Sequence, residues 1–182
     1  MMKKNLSIII ISFALIFLAQ GCLLMHSVSY EIKPDGKSGG TAVLTIEDIR
    51  SDALNAYELK EDKQNLFEFM HKSDDFIAQM KDEGKTITSR ELFVQDGKLN
   101  GIIKFSFDDI EIVEGVIYEE PFYFLTLSPE DSIISTNGEV IVSDEYKRIM
   151  WDNTVKVLKF KMFSDDVDDG NLVSLAQYYE SD

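Results

Sequence analysis

Cysteine, histidine, proline and positive charge are all scarce in this chain of 182 residues. It has one Cys, which excludes a disulfide-stapled scaffold and a cysteine-rich zinc module. Two His leave little for imidazole-based metal sites. Three Pro and ten Gly exclude collagen-like and proline-rich chains. Lys and Arg total 18 against 33 Asp and Glu, a net charge of −15. That surplus repels the phosphates on which nucleic-acid affinity depends, so nucleic acid is excluded as a partner. No P-loop occurs, and the single Gly-x-Ser-x-Gly match, Gly36 to Gly40, lies in a Gly-rich turn that joins two strands, where a nucleophile elbow would join a strand to a helix. What the chain does have is 45% hydrophobic residues, enough for a packed core.

The N-terminus carries the strongest signal. Lys3 and Lys4 precede the uncharged run Leu6 to Leu18, and Ala19, Gln20, Gly21 and Cys22 follow. Thirteen helical residues span about 20 Å, short of the ~30 Å hydrocarbon core. A charged start, a short apolar run and small residues before a break define an export signal over residues 1–21. The only Cys sits where the segment resembles a lipobox. Such motifs are cleaved before the Cys, whose sulfur receives a diacylglyceryl group and whose acyl chains are of the palmitate class. Cleavage there would remove 21 of the 182 residues, Lys3 and Lys4 among them, leaving 161 residues with a net charge of −17. Several acyl chains, at ~0.8 kcal/mol per buried CH₂, give stable anchoring. Leu23, rather than Asp, follows the Cys; by resemblance to the sorting rule of enteric bacteria this implies the outer membrane, facing the periplasm.

The mature chain patterns as one α+β domain over residues 22–163. Val28, Tyr30 and Ile32 alternate with polar residues, as do Ala42, Leu44 and Ile46 after a Gly-rich turn at 34–40, so the spacing predicts a hairpin. Over 62–83 the period changes. Leu66, Phe69, Met70, Ile77 and Met80 predict one long amphipathic helix, capped by Asp62, stopped by Gly84, and facing the sheet through Leu66, Phe69, Met70 and Ile77. Segments 86–95 and 99–107 flank Asp96-Gly97, a strong hairpin signal. Further β-rich runs cover 116–127, 139–143, 147–151 and 155–163, with a second turn signal at Asn137-Gly138. Serial hairpins predict a twisted, mostly antiparallel sheet with the helix on one face. Residues 164–182 read as an acidic tail with a short helix around 172–179.

Together these features resemble LppM-like bacterial lipoproteins. The likeness rests on strand, Asp35-Gly36 turn and strand after the Cys; on Asp96-Gly97, Gly101 and Phe105-Ser106-Phe107; and on Asn137-Gly138 ahead of a strand bearing Trp151. It implies an envelope lipoprotein domain without a catalytic site or cofactor, and it assigns a role to Cys22 alone.

The remaining chemistry-bearing residues read as structural. His26, at the start of the mature chain, and His71, on the helix, read as surface or half-buried histidines. The acid pairs Asp74-Asp75, Asp108-Asp109, Glu119-Glu120 and Glu130-Asp131 are expected to be solvated. Strand neighbours such as Glu119 and Glu120 also point to opposite faces and cannot flank one substrate. Asp165 to Gly170 resembles a calcium loop, but Val167 and Ala176 stand where ligands belong. Of Tyr118, Phe122, Tyr123 and Phe124, some must enter the core while others could form a groove or partner surface. The function expected is a membrane-anchored, non-catalytic envelope lipoprotein that binds a protein partner or an apolar, lipid-like ligand near the membrane. The alternative is an envelope enzyme with a carboxylate-based hydrolytic site. Acids gathered in a deep pocket would favour the enzyme, an apolar pocket the ligand, and a flat bare sheet edge a partner that adds a strand.

Overall fold

The computed structural model describes residues 23–36, 38–163 and 172–179. Residues 1–21, expected to be an export signal, Cys22 and the acidic run 165–170 lie outside the described residues. No helix among the described residues is long and apolar enough to cross a membrane.

Two antiparallel sheets and a helical pair share one hydrophobic core. The larger sheet contains β1 (Leu23–Asp35), β2 (Gly39–Ser51), β3 (Lys85–Gln95), β4 (Lys98–Phe107), β7 (Ile133–Thr136) and β10 (Leu158–Phe163), ordered β3-β4-β2-β1-β10-β7. The two-residue β11 (Val173–Ser174) pairs with the end of β2. The smaller sheet contains β5 (Ile117–Glu119), β6 (Phe122–Leu127), β8 (Glu139–Val142) and β9 (Lys147–Asp152), ordered β5-β6-β9-β8.

Alternation in the sequence sets the faces of the larger sheet. Val28, Tyr30 and Ile32 stand opposite Ile46, Leu44 and Ala42, and all six are buried. The other face is wet, where Lys159 meets Glu31 and Lys161 meets Glu47, each at 2.6 Å. Asp48 interrupts the alternation. Its φ of +56° turns the chain, so that Ile49 and Ser51 are buried after Ile46. The β3–β4 hairpin closes on Asp96 and Gly97, both with positive φ, as a type I′ turn requires.

The helical region differs from the single long helix over 62–83. Helix α1 (Ala56–Lys63) continues as a π-helical segment, Gln64–Met70, and the chain then breaks before α2 (Asp74–Asp82). Asn55 caps α1 by accepting from the amides of Tyr57 and Glu58. Ser73 starts a new helix by capping the amide of Asp75, and Arg90 bonds the carbonyls of Met70 and Ser73 at 2.9 Å each. These groups satisfy the ends that an uninterrupted helix would not have. Asp62 is therefore not a cap; it lies inside α1, buried against Ser51. The buried face also differs, being made of Leu66, Phe76 and Met80, while Phe69, Met70 and Ile77 are half-buried. The extra residue per turn in the π segment rotates Phe69 away from the sheet and onto Phe76, 5.6 Å between ring centres. Gly84, with φ +87°, follows the end of α2 as expected.

The C-terminal segment is more than a tail. Leu175 is fully buried, Ala176–Tyr178 forms a 3₁₀ turn, and the Tyr179 hydroxyl donates to the carbonyl of Leu92. Residues 172–179 thus belong to the domain.

Candidate functional site

The larger sheet's inner face is covered by two different elements. At the Phe160 end the smaller sheet packs on it. Trp151 lies 6.0 Å from Phe160, which stacks on Tyr30 at 5.1 Å, and the Tyr123 hydroxyl donates to the Gly36 carbonyl. At the Leu23 end the helices cover the face but leave a crevice. Leu23, Ile46, Ile49, Leu66, Phe76 and Leu92 are among the apolar residues that line it, with His71 and Arg90 at its polar margin. Its volume is about 40 Å³, room for two or three waters and far from what an acyl chain requires.

Two clusters of ionisable groups lie elsewhere. The Ser51 hydroxyl donates to Asp62, and Asp52 stands close enough for Asp62 to affect it. Burial raises the Asp52 carboxyl above its usual range, and the charges of Asp62 and Glu58 add to this. One Asp52 oxygen, Oδ1, is buried without a hydrogen-bond partner among the described residues. None of these acids lines the crevice. In the second cluster the buried Tyr30 hydroxyl donates to Glu114, a residue with φ +57°. Burial pushes Tyr30 well up, aided by the Glu114 charge, and pushes the nearly buried Lys85 down. The Tyr30–Glu114 cluster escaped the sequence reading because its members are far apart in the chain, and the Asp52–Asp62 pair because it joins the end of a strand to the interior of a helix.

The residues singled out from sequence hold structural positions. His26 and His71 are half-buried, and His71 sits edge-on to Tyr179 at 6.3 Å. Asp74 and Asp75 occupy the exposed first turn of α2. Asp109 and Asp131 accept from the backbone amides of Glu111 and Ser128. Glu119 and Glu120 are exposed. Among the described residues no three His, Cys, Asp or Glu gather to hold a metal. Of the aromatic run, Tyr123 is buried and Tyr118 packs beside it, whereas Phe122 and Phe124 pair on the other face, where Arg148 covers Phe124.

The feature most open to a partner is a strand edge. The chain leaves the larger sheet at β7, turns at Asn137-Gly138, and enters the smaller sheet as β8. That turn does not close a hairpin, because β7 pairs with β10 and β8 with β9. Asn137 holds the crossing. Its Oδ1 accepts from Trp151 Nε1 and from the Lys159 amide, both at 2.8 Å, and its Nδ2 donates to the Val157 carbonyl. Gly138 is required beside it, since a Cβ would lie 2.7 Å from both Ile149 and Trp151. Among the described residues β8 has a strand on one side only, and all four of its residues are exposed, Val142 to 67%. Every second residue along the bare edge presents its backbone N–H and C=O to a further strand.

No protein family, curated protein or solved structure matches the chain at a significant level.

Proposed function

We propose that this chain is a bacterial envelope lipoprotein, anchored through acylated Cys22 at the outer membrane and facing the periplasm, and that it binds a protein partner without catalysis. The observation that carries this reading is β8, a solvent-exposed Val-Ile-Val strand with an unpaired edge. Strand addition at such an edge supplies backbone hydrogen bonds, while the exposed side chains select the partner. A protein partner has more support than a lipid ligand, because the crevice of about 40 Å³ is too small for an acyl chain. The hydrolytic alternative has less support still, since the paired acids Asp52 and Asp62 lie away from that crevice.

The lipobox-like Gly21-Cys22 and the resemblance to LppM-like lipoproteins support the anchor. The fold supports a membrane-proximal position. Leu23, directly after Cys22, is already buried in β1, which leaves no tether between anchor and domain. The test is a photo-cross-linking amino acid at position 141 of the full chain, expressed in a native envelope. A discrete protein adduct is expected there and not with the label at position 68 on the exposed side of the helix. Recovery of lipid adducts alone, or an unacylated Cys22 by mass spectrometry, would contradict the reading.

A further inference from the structure

We infer that the strand received by β8 is an extended, apolar segment flanked by Lys or Arg. This rests on the proposed strand addition and adds the chemistry of the partner.

The argument is the charge around the edge. Glu139 begins β8, and Asp144 and Glu145 lie in the turn just beyond Val142; all three are exposed. None of the three carboxylates has an ion-pair partner among the described residues. The nearby cations are engaged elsewhere. Lys147 Nζ donates to the Asp131 carbonyl at 2.7 Å. Arg148 donates to Thr126 Oγ1 and lies against the rings of Tyr146 and Phe124. An apolar strip with uncompensated acid at both ends is complementary to an apolar strip with base at both ends.

The same charges argue against a second copy of this chain. Antiparallel pairing of two β8 strands about their centre sets Val140 against Ile141 and Glu139 against Val142. Each Glu139 then lies diagonal to the Asp144-Glu145 turn of the other copy, so both ends of the joint collect like charge. The chain's net charge of −15 adds to that repulsion. A basic partner relieves it.

The experiment uses the full lipidated chain in nanodiscs and two labelled peptides, Lys-Lys-Val-Ile-Val-Lys-Lys and Glu-Glu-Val-Ile-Val-Glu-Glu, followed by fluorescence anisotropy. The Lys-flanked peptide is expected to bind at least tenfold more tightly, and its affinity to fall with added salt. Val142→Lys should weaken it at least tenfold with an unchanged thermal midpoint. Glu139→Lys, a substitution on an exposed position, should narrow the preference between the peptides and provides a second test should Val142→Lys misfold. Equal binding of both peptides, indifference to Glu139→Lys, or concentration-dependent dimers cross-linked through position 141 would overturn the inference. Protein adducts at position 141 with no binding of the Lys-flanked peptide would overturn the basic partner while leaving strand addition standing; absence of any protein adduct would remove the reading beneath it.

Discussion

β3 and β8 each end a sheet, and they treat their free edges in opposite ways. β3 has eleven residues and is interrupted by a register shift between Ile87 and Ser89, where Thr88 Oγ1 turns back to the Lys104 carbonyl. It carries Arg90 and Glu91 side by side. Arg90 reaches the helix break, α2 packs alongside, and Tyr179 takes the carbonyl of Leu92. Bulges, charges and covering elements are the means by which proteins keep edge strands from pairing with other chains. β8 has none of these along its length; its three apolar residues are solvent-exposed, and only its ends are charged. One molecule thus contains both a guarded edge and an open one, so the open edge is not a general weakness of the fold. Of the four end strands, β3, β5, β7 and β8, β8 is the one whose every residue is exposed, and an exposed apolar edge is where a partner is sought.

The comparison can be broken at the crossing that presents β8. Asn137→Ala would leave the buried Trp151 N–H without its acceptor and hand the exposed Lys159 amide and Val157 carbonyl to water. A loss of about 2–3 kcal/mol is expected, most of it from the Trp151 N–H, read by urea unfolding. A loss under ~1 kcal/mol would mean that β8 is held by pairing with β9 alone.

Removing the guard from β3 should have the next largest effect. Arg90→Met keeps the apolar stem but releases the carbonyls of Met70 and Ser73, at about 2 kcal/mol for bonds from a charged donor. Hydrogen exchange should quicken across residues 70–76 and not in β8. Uniform quickening would show that Arg90 supports the whole domain.

The smallest effect sharpens the contrast through pH. At the end of β2, Arg50 and then Lys98 hold the Asp48 carboxyl below its usual range, against the opposing effect of burial. A depressed carboxyl stabilises the fold above its unfolded pKa, and the benefit is lost as pH falls through the lower folded value. Stability should therefore drop below about pH 4, where Asp48 of the unfolded chain takes up a proton while the folded carboxyl stays ionised. Asp48→Asn should cost about 1 kcal/mol at pH 7 and nothing once both states are protonated. An Asp48→Asn protein with an unchanged acid limb would show that other carboxylates govern it.

Much of the strand architecture was legible. Period-two runs gave β1, β2 and β4 their inward faces, and Asp96-Gly97 identified its hairpin because positive φ at two successive residues is a local demand. The helix was legible as helical but not as broken. Its break depends on Arg90, seventeen residues beyond Ser73 in the chain and adjacent to it in space. For the same reason Asp62 looked like a cap, when its partner is Ser51 on a strand.

The candidate site was the least legible part. Val140-Ile141-Val142 is a continuous apolar run, the signature of a strand covered on both faces, and Asn137-Gly138 before it has the composition of a hairpin turn. The sequence by itself determined that this segment is extended and that the chain turns ahead of it, because backbone dihedrals respond to neighbours within a few residues. Only the tertiary structure decided that β7 and β8 go to different sheets, and that none of the described elements covers β8. Exposure depends on which distant strands pair and which edges they fill. β9 took one side of β8, Trp151 and Asn137 fixed the crossing, and the other side was left to solvent.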